Sequence, residues 1–340
     1  MPSQVTIKPS NHVFTARDDE TILDAALREG YVISYGCRNG ACGTCKGKLL
    51  AGKVDYGTYQ ETALPETDKH RGMALFCQAR PLGDVVIECR EVGAAKDIQI
   101  RTLPCRVHKM ERAATDIMVL HLKLPAAERL QFLAGQYIDI LLKDGGRRSL
   151  SMANPPHADD FLQLHLRNYG GPFSEQVFTR MKERDILRFE GPLGTFFLRE
   201  GSDKPIILLA SGTGFAPVKA MIEQAFHTHN ARPMVLYWGG RVRADLYMHE
   251  LPERWVREHN NFKYVPVLSE PLPADNWGGR TGLVHHAVMK DMADMSGCQV
   301  YACGAPVMVE AAHRDFTSQC GLPEEEFFSD AFTPAPPTPN

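Results

Sequence analysis

Apolar residues follow three different patterns along this chain of 340 residues. Near the N-terminus, two short alternating runs precede a segment with apolar positions at helical spacing, which predicts two strands and an amphipathic helix with the face Ile22, Leu23, Ala26 and Leu27. Between residues 105 and 200, alternations such as IMVLHLKL and QYIDILL predict an antiparallel barrel. From residue 206 onward, apolar strands separated by helical stretches are typical of a doubly wound parallel sheet.

Two changes in composition divide these patterns. Residues 91–104 follow a strand-like run and precede the first barrel alternation, and residues 199–205 are rich in charged and turn-forming types. A chain of this length that is 44% hydrophobic is too long for a single compact core. The sequence therefore predicts three domains, over residues 1–95, 96–200 and 201–340, followed by a proline-rich tail, TPAPPTPN, that is expected to be unpacked.

Charge and hydropathy exclude several classes of protein. A formal net charge of -3 argues against nucleic-acid binding, which requires a basic surface. The N-terminus lacks an apolar segment of signal-peptide length, and no stretch approaches the length of a membrane span. We therefore expect a soluble, cytoplasmic protein without nucleic-acid or membrane partners, in which nine cysteines are kept reduced.

The clearest chemical motif is YGCRNGACGTCKG, over residues 35–47. Cys37, Cys42 and Cys45 have the spacing C-x4-C-x2-C, and Cys77 lies 32 residues further on. This is the plant-type spacing for a [2Fe-2S] cluster held by four thiolates. The glycines allow tight turns that direct backbone N–H groups at the sulfurs, where they stabilise negative charge.

Two alternatives to a cluster are a zinc site and a group of buried structural thiols. Zinc knuckles favour paired C-x2-C units, and only one is present. Structural thiols favour apolar surroundings rather than glycines and an arginine. The other scattered cysteines are expected to be inert packing residues: Cys89, Cys105, Cys298 and Cys320. With all four ligand positions matched, residues 1–95 resemble the plant-type ferredoxin domain, which implies a β-grasp fold.

Two segments of the predicted barrel carry candidate flavin chemistry. RRSLSMAN spans residues 147–154, and RNYGGPFSEQVF spans residues 167–178. In the second, a glycine turn leads into a helix with Ser174 as the predicted N-cap, where free N–H groups can bind phosphate. Taken singly, each segment is also compatible with an ordinary loop, since motif matches are only hypotheses.

Together these segments resemble the flavin domain of the ferredoxin-NADP reductase superfamily, with its R-x-Y-S motif and following glycine and serine stretch. The resemblance implies that Arg148 pairs with the flavin diphosphate and that Ser151 forms a hydrogen bond near flavin N5. Leu150 stands where the family usually has tyrosine. The implied flavin-binding positions are Arg148, Leu150, Ser151, Arg167, Gly170, Gly171 and Ser174.

The third region contains three candidate nucleotide loops, each at the predicted carboxyl end of a strand. In the first, Gly212, Thr213 and Gly214 precede a helix with Pro217 in its first turn, an arrangement that presents N–H groups to a pyrophosphate. A lone G-x-G is weak evidence, but the repeated strands and helices strengthen it. The other two loops are GGR at residues 239–241 and CGAP at residues 303–306.

These loops are similar to the pyridine-nucleotide domain of the same superfamily. The resemblance implies that Cys303 lies beside the nicotinamide, although a small buried residue at the end of a strand is the alternative. It also implies that Phe332 in FFSDAF stacks on the flavin, with Asp330 influencing local protonation. The implied nucleotide-binding positions are Gly212, Thr213, Gly214, Pro217, Gly239, Arg241, Cys303, Gly304 and Pro306.

The preferred nucleotide is less clearly defined by the motifs. Arg241 and Arg243 are cations that suit a 2'-phosphate, whereas the segment GGRVRADLY resembles NADH-dependent members, so we expect NADH rather than NADPH. FAD is expected rather than FMN because the family associates FAD with an N-terminal ferredoxin domain.

Electron counting connects the three domains. NADH gives up two electrons as hydride, a [2Fe-2S] cluster takes one at a time, and flavin can do both. The order resembles the reductase components of aromatic-ring oxygenases and the reductases for CDP-6-deoxy-glucoseen. The expected partner is a Rieske or diiron oxygenase or a nucleotide-sugar dehydratase, bound transiently by a monomer. A redox sensor without turnover and a free-standing flavin reductase remain as alternatives.

Overall fold

The computed structural model describes residues 2–333. It contains two compact units, one of Met1–Ile98 with Ala331–Asn340 and one of Gln99–Asp330. Most of the predicted unpacked tail, residues 334–340, lies outside the described residues. Among the described residues, every helix is too short or too polar to cross a bilayer.

The N-terminal unit is built on a five-stranded sheet with the order β2-β1-β7-β3-β5, beside a two-stranded sheet of β4 and β6. β1 is parallel to β7 and antiparallel to β2, and β3 is antiparallel to β5 and β7. Its elements are β1 (Ser3–Lys8), β2 (Val13–Ala16), α1 (Ile22–Arg28), β3 (Lys46–Ala51), β4 (Val54–Asp55), α2 (Glu66–His70), β5 (Met73–Leu75), β6 (Arg80–Pro81) and β7 (Val85–Glu88). The mixed sheet with one helix across it is the expected β-grasp arrangement.

The predicted amphipathic helix is α1, which begins at Ile22 because Thr21 caps it by accepting the Asp24 N–H at 3.1 Å. The buried face consists of Ile22, Leu23, Ala25 and Ala26. The predicted face was therefore right at three positions, while Leu27 is only half-buried.

The second unit begins with a six-stranded antiparallel sheet in the order β11-β10-β13-β8-β9-β12. An antiparallel bridge between Met152, which follows β11, and Leu164 in β12 connects the two edge strands, which brings the sheet round into the predicted barrel. Its elements are β8 (Arg101–Ala114), β9 (Ile117–Lys123), β10 (Tyr137–Leu141), β11 (Arg147–Ser151), β12 (Leu162–Arg167), α3 (Pro172–Thr179) and β13 (Ile186–Leu193).

Two local predictions in this region were wrong. Gly171, not Ser174, is the N-cap of α3, since Pro172 occupies the first helical position and its fixed φ suits a helix start. The hydroxyl of Ser174 donates to the Gly171 carbonyl at 2.9 Å. In addition, residues 91–104 were predicted to form a linker, but β8 begins at Arg101, so the last four of these residues belong to the barrel.

The nucleotide region of this unit is a six-stranded sheet with the order β17-β16-β15-β14-β18-β19. Strands β14 to β18 pair in parallel, and the order reverses at β14, as the predicted doubly wound sheet requires. Its elements are β14 (Ile206–Ser211), α4 (Phe215–His227), β15 (Met234–Gly240), α5 (Glu250–Glu258), β16 (Phe262–Leu268), β17 (Arg280–Thr281), α6 (Val284–Asp291), β18 (Gln299–Gly304), α7 (Pro306–Gln319) and β19 (Phe327–Ala331).

Candidate active site

The four predicted cluster ligands converge in the N-terminal unit. Cys37 and Cys42 lie on the irregular loop between α1 and β3, Cys45 directly precedes β3, and Cys77 follows β5. The antiparallel pairing of β3 with β5 brings Lys46 opposite Leu75 and so carries Cys77 to the loop. Cys45 and Cys77 are buried, whereas Cys37 and Cys42 are half-buried.

Backbone donors point at these sulfurs, as the glycine-rich sequence predicts. The Cys42 N–H donates to Cys37 Sγ at 3.3 Å, and the Cys37 N–H donates to Cys42 Sγ at 3.4 Å. Gly40 has a φ of +76°, and a Cβ there would lie 2.7 Å from the Thr58 carbonyl oxygen. The loop can therefore fold this tightly only with glycine at that position.

The thiols form two hydrogen-bonded pairs, Cys37 with Cys42 and Cys45 with Cys77. The hydrogen bond from Cys42 lowers the pKa of Cys37 to about 6, and the pKa of Cys42 rises well above its ordinary value. In the second pair, the bond from Cys45 lowers the pKa of Cys77 and the pKa of Cys45 rises. Each pair thus offers a thiolate to a metal more readily than an isolated buried thiol would.

This arrangement fits two irons better than one zinc. Four thiolates around a single zinc would be mutually separated by about 3.8 Å, given Zn–S bonds of about 2.3 Å. Within residues 2–333, no three of the cysteine sulfurs lie within 4.8 Å of one another. Two separate pairs match a [2Fe-2S] cluster, in which each iron takes two protein thiolates.

Two polar side chains next to the cysteines were not anticipated from the sequence. Thr44 Oγ1 lies 3.3 Å from Cys42 Sγ, within the distance for a hydrogen bond to sulfur. Gln78 Nε2 donates to the Arg38 carbonyl at 3.1 Å and lies 3.9 Å from Cys77 Sγ. A polar residue adjacent to a ligand cysteine is the signal that would have identified both.

In the second unit, strand β11 presents the predicted flavin motif. Arg148 is exposed, and its guanidinium donates to the Arg147 carbonyl at 2.7 Å. Leu150 packs against the barrel core. Ser151 is buried, and its hydroxyl donates to Asp330 on β19 at 3.4 Å. Two predicted site residues, from the barrel and from the last strand of the nucleotide sheet, are therefore brought together.

The glycine turn before α3 suits a phosphate group. Gly170 has a φ of +78° and open space where a Cβ would stand. The N–H groups of Phe173 and Ser174 lie in the first turn, where a helix supplies no carbonyl to accept them. These N–H groups and the exposed guanidinium of Arg148 are donors of the kind that a flavin diphosphate requires.

Arg167, another predicted flavin ligand, forms ion pairs with two carboxylates of the protein. Its Nε donates to Asp116 at 2.6 Å, and its second guanidinium nitrogen donates to Asp245. Burial alone would raise the pKa of Asp245, but the hydrogen bond and charge of Arg167, together with the backbone N–H groups of Arg241 and Val242, lower it overall. The contact joins barrel strand β12 to the segment that follows β15.

The carboxyl ends of β14 and β18 pack closely, as the three-loop prediction requires. A Cβ on Gly214 would lie 2.2 Å from the Cys303 carbonyl oxygen, and one on Gly304 would lie 2.3 Å from Ser211 Oγ. The Ala305 N–H donates to that same Ser211 hydroxyl at 2.9 Å. Helices α4 and α7 begin immediately after these loops, with Pro217 in the first turn of α4 and Pro306 at the start of α7.

Cys303 is fully buried at the end of β18, and burial raises its pKa well above the ordinary value. Asp330 raises this pKa further. At neutral pH the side chain is therefore an uncharged thiol and not a nucleophile. Its role beside a nicotinamide stays a prediction, as does the stacking role of Phe332, which is 37% exposed.

The third loop, at the end of β15, is fixed by Asp245. The Asp245 carboxylate accepts the Arg241 N–H at 2.8 Å and the Val242 N–H at 3.3 Å. The Arg241 side chain is 69% exposed, whereas Arg243 donates to Glu250 at 3.2 Å. Of the two arginines considered for nucleotide recognition, Arg241 is thus the more accessible.

Comparison with protein-family models agrees with the three parts of the structure. Residues 5–82 match a 2Fe-2S iron-sulfur cluster binding domain, residues 104–198 an oxidoreductase FAD-binding domain, and residues 208–314 an oxidoreductase NAD-binding domain. The first match contains all four cysteines, and the second contains the RRSLS and GGPFS segments.

Relatives of two kinds match nearly the whole chain. The CDP-6-deoxy-L-threo-D-glycero-4-hexulose-3-dehydrase reductase of Yersinia pseudotuberculosis is 41% identical over 98% of this chain and 100% of its own. The phenol hydroxylase P5 protein of Acinetobacter pittii is 34% identical over 92% and 89%. Among solved structures, Amycolatopsis cytochrome P450 reductase GcoB has a TM-score of 0.80 at 33% identity, over 98% of this chain and 100% of its own.

The chain belongs to the family of iron-sulfur flavoprotein reductases with a 2Fe-2S, an FAD-binding and an NAD-binding domain. It is an oxidoreductase that passes electrons from NADH through FAD and the cluster to a partner protein.

Proposed function

We propose that this chain is the reductase partner of a dehydrase that acts on a CDP-linked deoxyhexulose. The observation that carries the proposal is the 41% identity to the Yersinia hexulose-3-dehydrase reductase over the full length of that protein. Protein RfbI of Salmonella typhimurium is 40% identical over 97% of this chain. The phenol hydroxylase and terephthalate dioxygenase reductases are 34% and 31% identical.

In this function the protein binds and aligns three redox groups. When bound, FAD exchanges two electrons with NADH and single electrons with the cluster. The paired thiolates of Cys37, Cys42, Cys45 and Cys77 hold the two irons, and the N–H groups aimed at the sulfurs stabilise negative charge there. The loops at Gly212–Gly214 and before α3 present N–H groups to the nucleotide and flavin phosphates.

Two side chains are assigned to the region where hydride is exchanged. Ser151, which donates to Asp330, is assigned a hydrogen bond near flavin N5. Cys303, an uncharged thiol at the end of β18, is assigned to the surface against which the nicotinamide packs. Both assignments follow from the superfamily motifs that these residues match, together with their positions at the adjoining ends of β11, β18 and β19.

A second candidate is supported by a separate observation. The structure of the cytochrome P450 reductase GcoB matches 98% of this chain with a TM-score of 0.80. An oxygenase is therefore the alternative partner. NADH is proposed over NADPH because Asp245 fixes the backbone of the GGR loop and leaves a single well-exposed arginine, Arg241, to meet a 2'-phosphate.

The partner is tested by coupling the purified holoprotein and NADH to a CDP-hexulose-3-dehydrase with its CDP-sugar substrate. We expect NADH oxidation to depend on the dehydrase and on its substrate, and a parallel reaction with an aromatic-ring hydroxylase to be much slower. If the hydroxylase alone accelerates NADH oxidation, the dehydrase assignment is wrong. Ferricyanide reduction in both reactions verifies that the reductase is active.

The same preparation distinguishes the proposed reductase from the two alternative functions, a redox sensor and a free-standing flavin reductase. A sensor would bind NADH without sustained reduction of ferricyanide or cytochrome c. A free-standing flavin reductase would keep its cytochrome c reduction when Cys42 is replaced by serine. We expect Cys42→Ser to abolish cytochrome c reduction while NADH still reduces the flavin.

A further inference from the structure

We propose that Arg167 and Asp245 form a positioning pair that fixes the nucleotide-binding loops against the flavin barrel, and that Arg167 is not a flavin ligand. The inference rests on the proposed function, because it concerns the binding of NADH next to the flavin. Arg167 lies within the predicted flavin motif, and the residues around it in the sequence do not indicate a role in positioning the nucleotide loops.

Arg167 is anchored from the barrel side. It is the last residue of β12, and its Nε donates at 2.6 Å to Asp116, which lies in the turn between β8 and β9. A second nitrogen of the same guanidinium donates to Asp245. The planar guanidinium is thus held from two directions, which defines its orientation more tightly than a single contact would.

Asp245 links Arg167 to the loop at the end of β15. One carboxylate oxygen accepts from Arg167, and the other accepts the N–H groups of Arg241 and Val242. A Cβ on Gly240 would lie 2.7 Å from the Asp245 Cβ, so the loop backbone closes directly over this side chain. Moving or neutralising the carboxylate would therefore release the GGR loop.

The same guanidinium also borders the first nucleotide loop. A Cβ on Gly212 would lie 3.5 Å from Arg167 Nη1, and the Gly212 carbonyl accepts from Trp238 Nε1 at 3.1 Å. Arg167 therefore adjoins the GTG loop directly and reaches the GGR loop through Asp245. Strand β12 leads directly to the flavin-motif glycines Gly170 and Gly171. The Arg167 side chain, at the end of that strand, therefore connects the flavin site with the nucleotide site.

Breaking the ion pair of Arg167 and Asp245 should weaken NADH binding because of its energetic cost. Both side chains are largely buried, at 13% and 6% side-chain exposure, so removing Asp245 leaves Arg167 with Asp116 alone, and removing Arg167 leaves the Asp245 carboxylate with only the backbone N–H donors and the more distant Arg241. The loop would rearrange to solvate that charge, and the N–H groups that meet the nucleotide would move with it. Small displacements of binding groups are costly to both affinity and reactivity.

The test uses the holoprotein with Asp245→Asn, which keeps the side-chain shape, and Arg167→Lys, which keeps the charge but loses the two-way contact. We expect the KM for NADH in ferricyanide reduction to rise about tenfold or more in both variants, with FAD content unchanged. Arg257→Met, a change at an exposed arginine on α5, should leave KM unchanged.

Three results are informative. If Arg167→Lys loses FAD while NADH binding is unaffected, Arg167 is a flavin ligand and the proposal is wrong. If both variants match the wild type in KM and FAD content, the pair has no positioning role. If the wild-type holoprotein is itself not reduced by NADH, the proposed function fails instead, and this result is distinguishable because it does not depend on the variants.

Discussion

Ser151 Oγ donates to Asp330 Oδ2 at 3.4 Å, although 179 residues separate them in the sequence. The serine ends barrel strand β11, and the aspartate lies on β19 at the edge of the nucleotide sheet. Their contact places a buried hydroxyl and a carboxylate at the boundary between the flavin and nucleotide parts of this unit. In the proposed function, hydride passes between the nicotinamide and flavin rings at this boundary, where a polar side chain such as Ser151 is needed.

Ser151→Ala should slow the reduction of bound flavin by NADH about tenfold, the effect of one lost hydrogen bond of about 1.4 kcal/mol. Stopped-flow absorbance of the flavin measures this step directly. Ser149→Ala is the matched control on the same strand, because the Ser149 hydroxyl instead donates to Asp139 at 2.6 Å. Equal flavin reduction rates in both variants would contradict the assignment of Ser151.

Gly214→Ala should destabilise the nucleotide sheet, because the new Cβ would lie 2.2 Å from the Cys303 carbonyl oxygen and the backbone would have to move. Overpacking of this kind costs about 1–3 kcal/mol of unfolding free energy. Gly297→Ala is the control, since a Cβ there would meet open space. Thermal unfolding of the two variants should differ clearly, and indistinguishable midpoints would refute the close packing of these loops.

The sequence predicted the features that depend on local spacing. The cysteine spacing, the loops GTG, GGR and CGAP at the carboxyl ends of β14, β15 and β18, and most of the apolar face of α1 are all encoded by neighbouring residues. Each reflects a rule that acts over a few positions, such as ligand spacing or a change of hydrophobic period. Such rules need no knowledge of the tertiary structure.

Contacts between distant segments could not be predicted in this way. The ion pair of Arg167 and Asp245 spans 78 residues, and the hydrogen bond between His165 Nδ1 and the Tyr247 hydroxyl spans 82. Both depend on how β12 packs beside the nucleotide sheet. The error at Ser174 was different, because proline at the first helical position moved the cap to Gly171 and serine became an internal residue.

Arg241→Ala should discriminate between NADH and NADPH. The Arg241 guanidinium is 69% exposed and lies 4.0 Å from Asp245, so an NADPH 2'-phosphate is the ligand that would benefit from it. We expect kcat/KM for NADH to change less than about twofold and residual NADPH activity to fall about fivefold, as for a solvent-exposed charge pair. A variant that loses NADH activity as strongly as NADPH activity would contradict this role.

Stability of the second unit should fall as the pH is lowered from 7 to 5. Burial lowers the pKa of His165 well below its ordinary value of 6.5, so the unfolded chain binds a proton that the folded state refuses. The stability is present above the unfolded pKa and is lost as the pH falls below it, by about 1.4 kcal/mol per pH unit for each such histidine. Burial also lowers the pKa of His121, His249 and His285.

His165→Gln should reduce this pH dependence by about 1–2 kcal/mol between pH 7 and pH 5, because glutamine cannot take up the proton. Tryptophan fluorescence during denaturant unfolding reports on this unit, since all three tryptophans are in it: Trp238, Trp255 and Trp277. His229→Asn, at an exposed histidine, should behave as the wild type. An unchanged slope in His165→Gln would show that His165 does not titrate on unfolding.

The central claim is that four cysteines hold two irons that receive single electrons originating from NADH. Metal and acid-labile sulfide analysis of anaerobically purified protein, combined with electron paramagnetic resonance after addition of NADH, tests it most directly. We predict about two irons and two sulfides per chain, with a paramagnetic reduced cluster that is absent from Cys42→Ser. Protein that contains one zinc per chain, no labile sulfide and no signal after NADH would contradict the account.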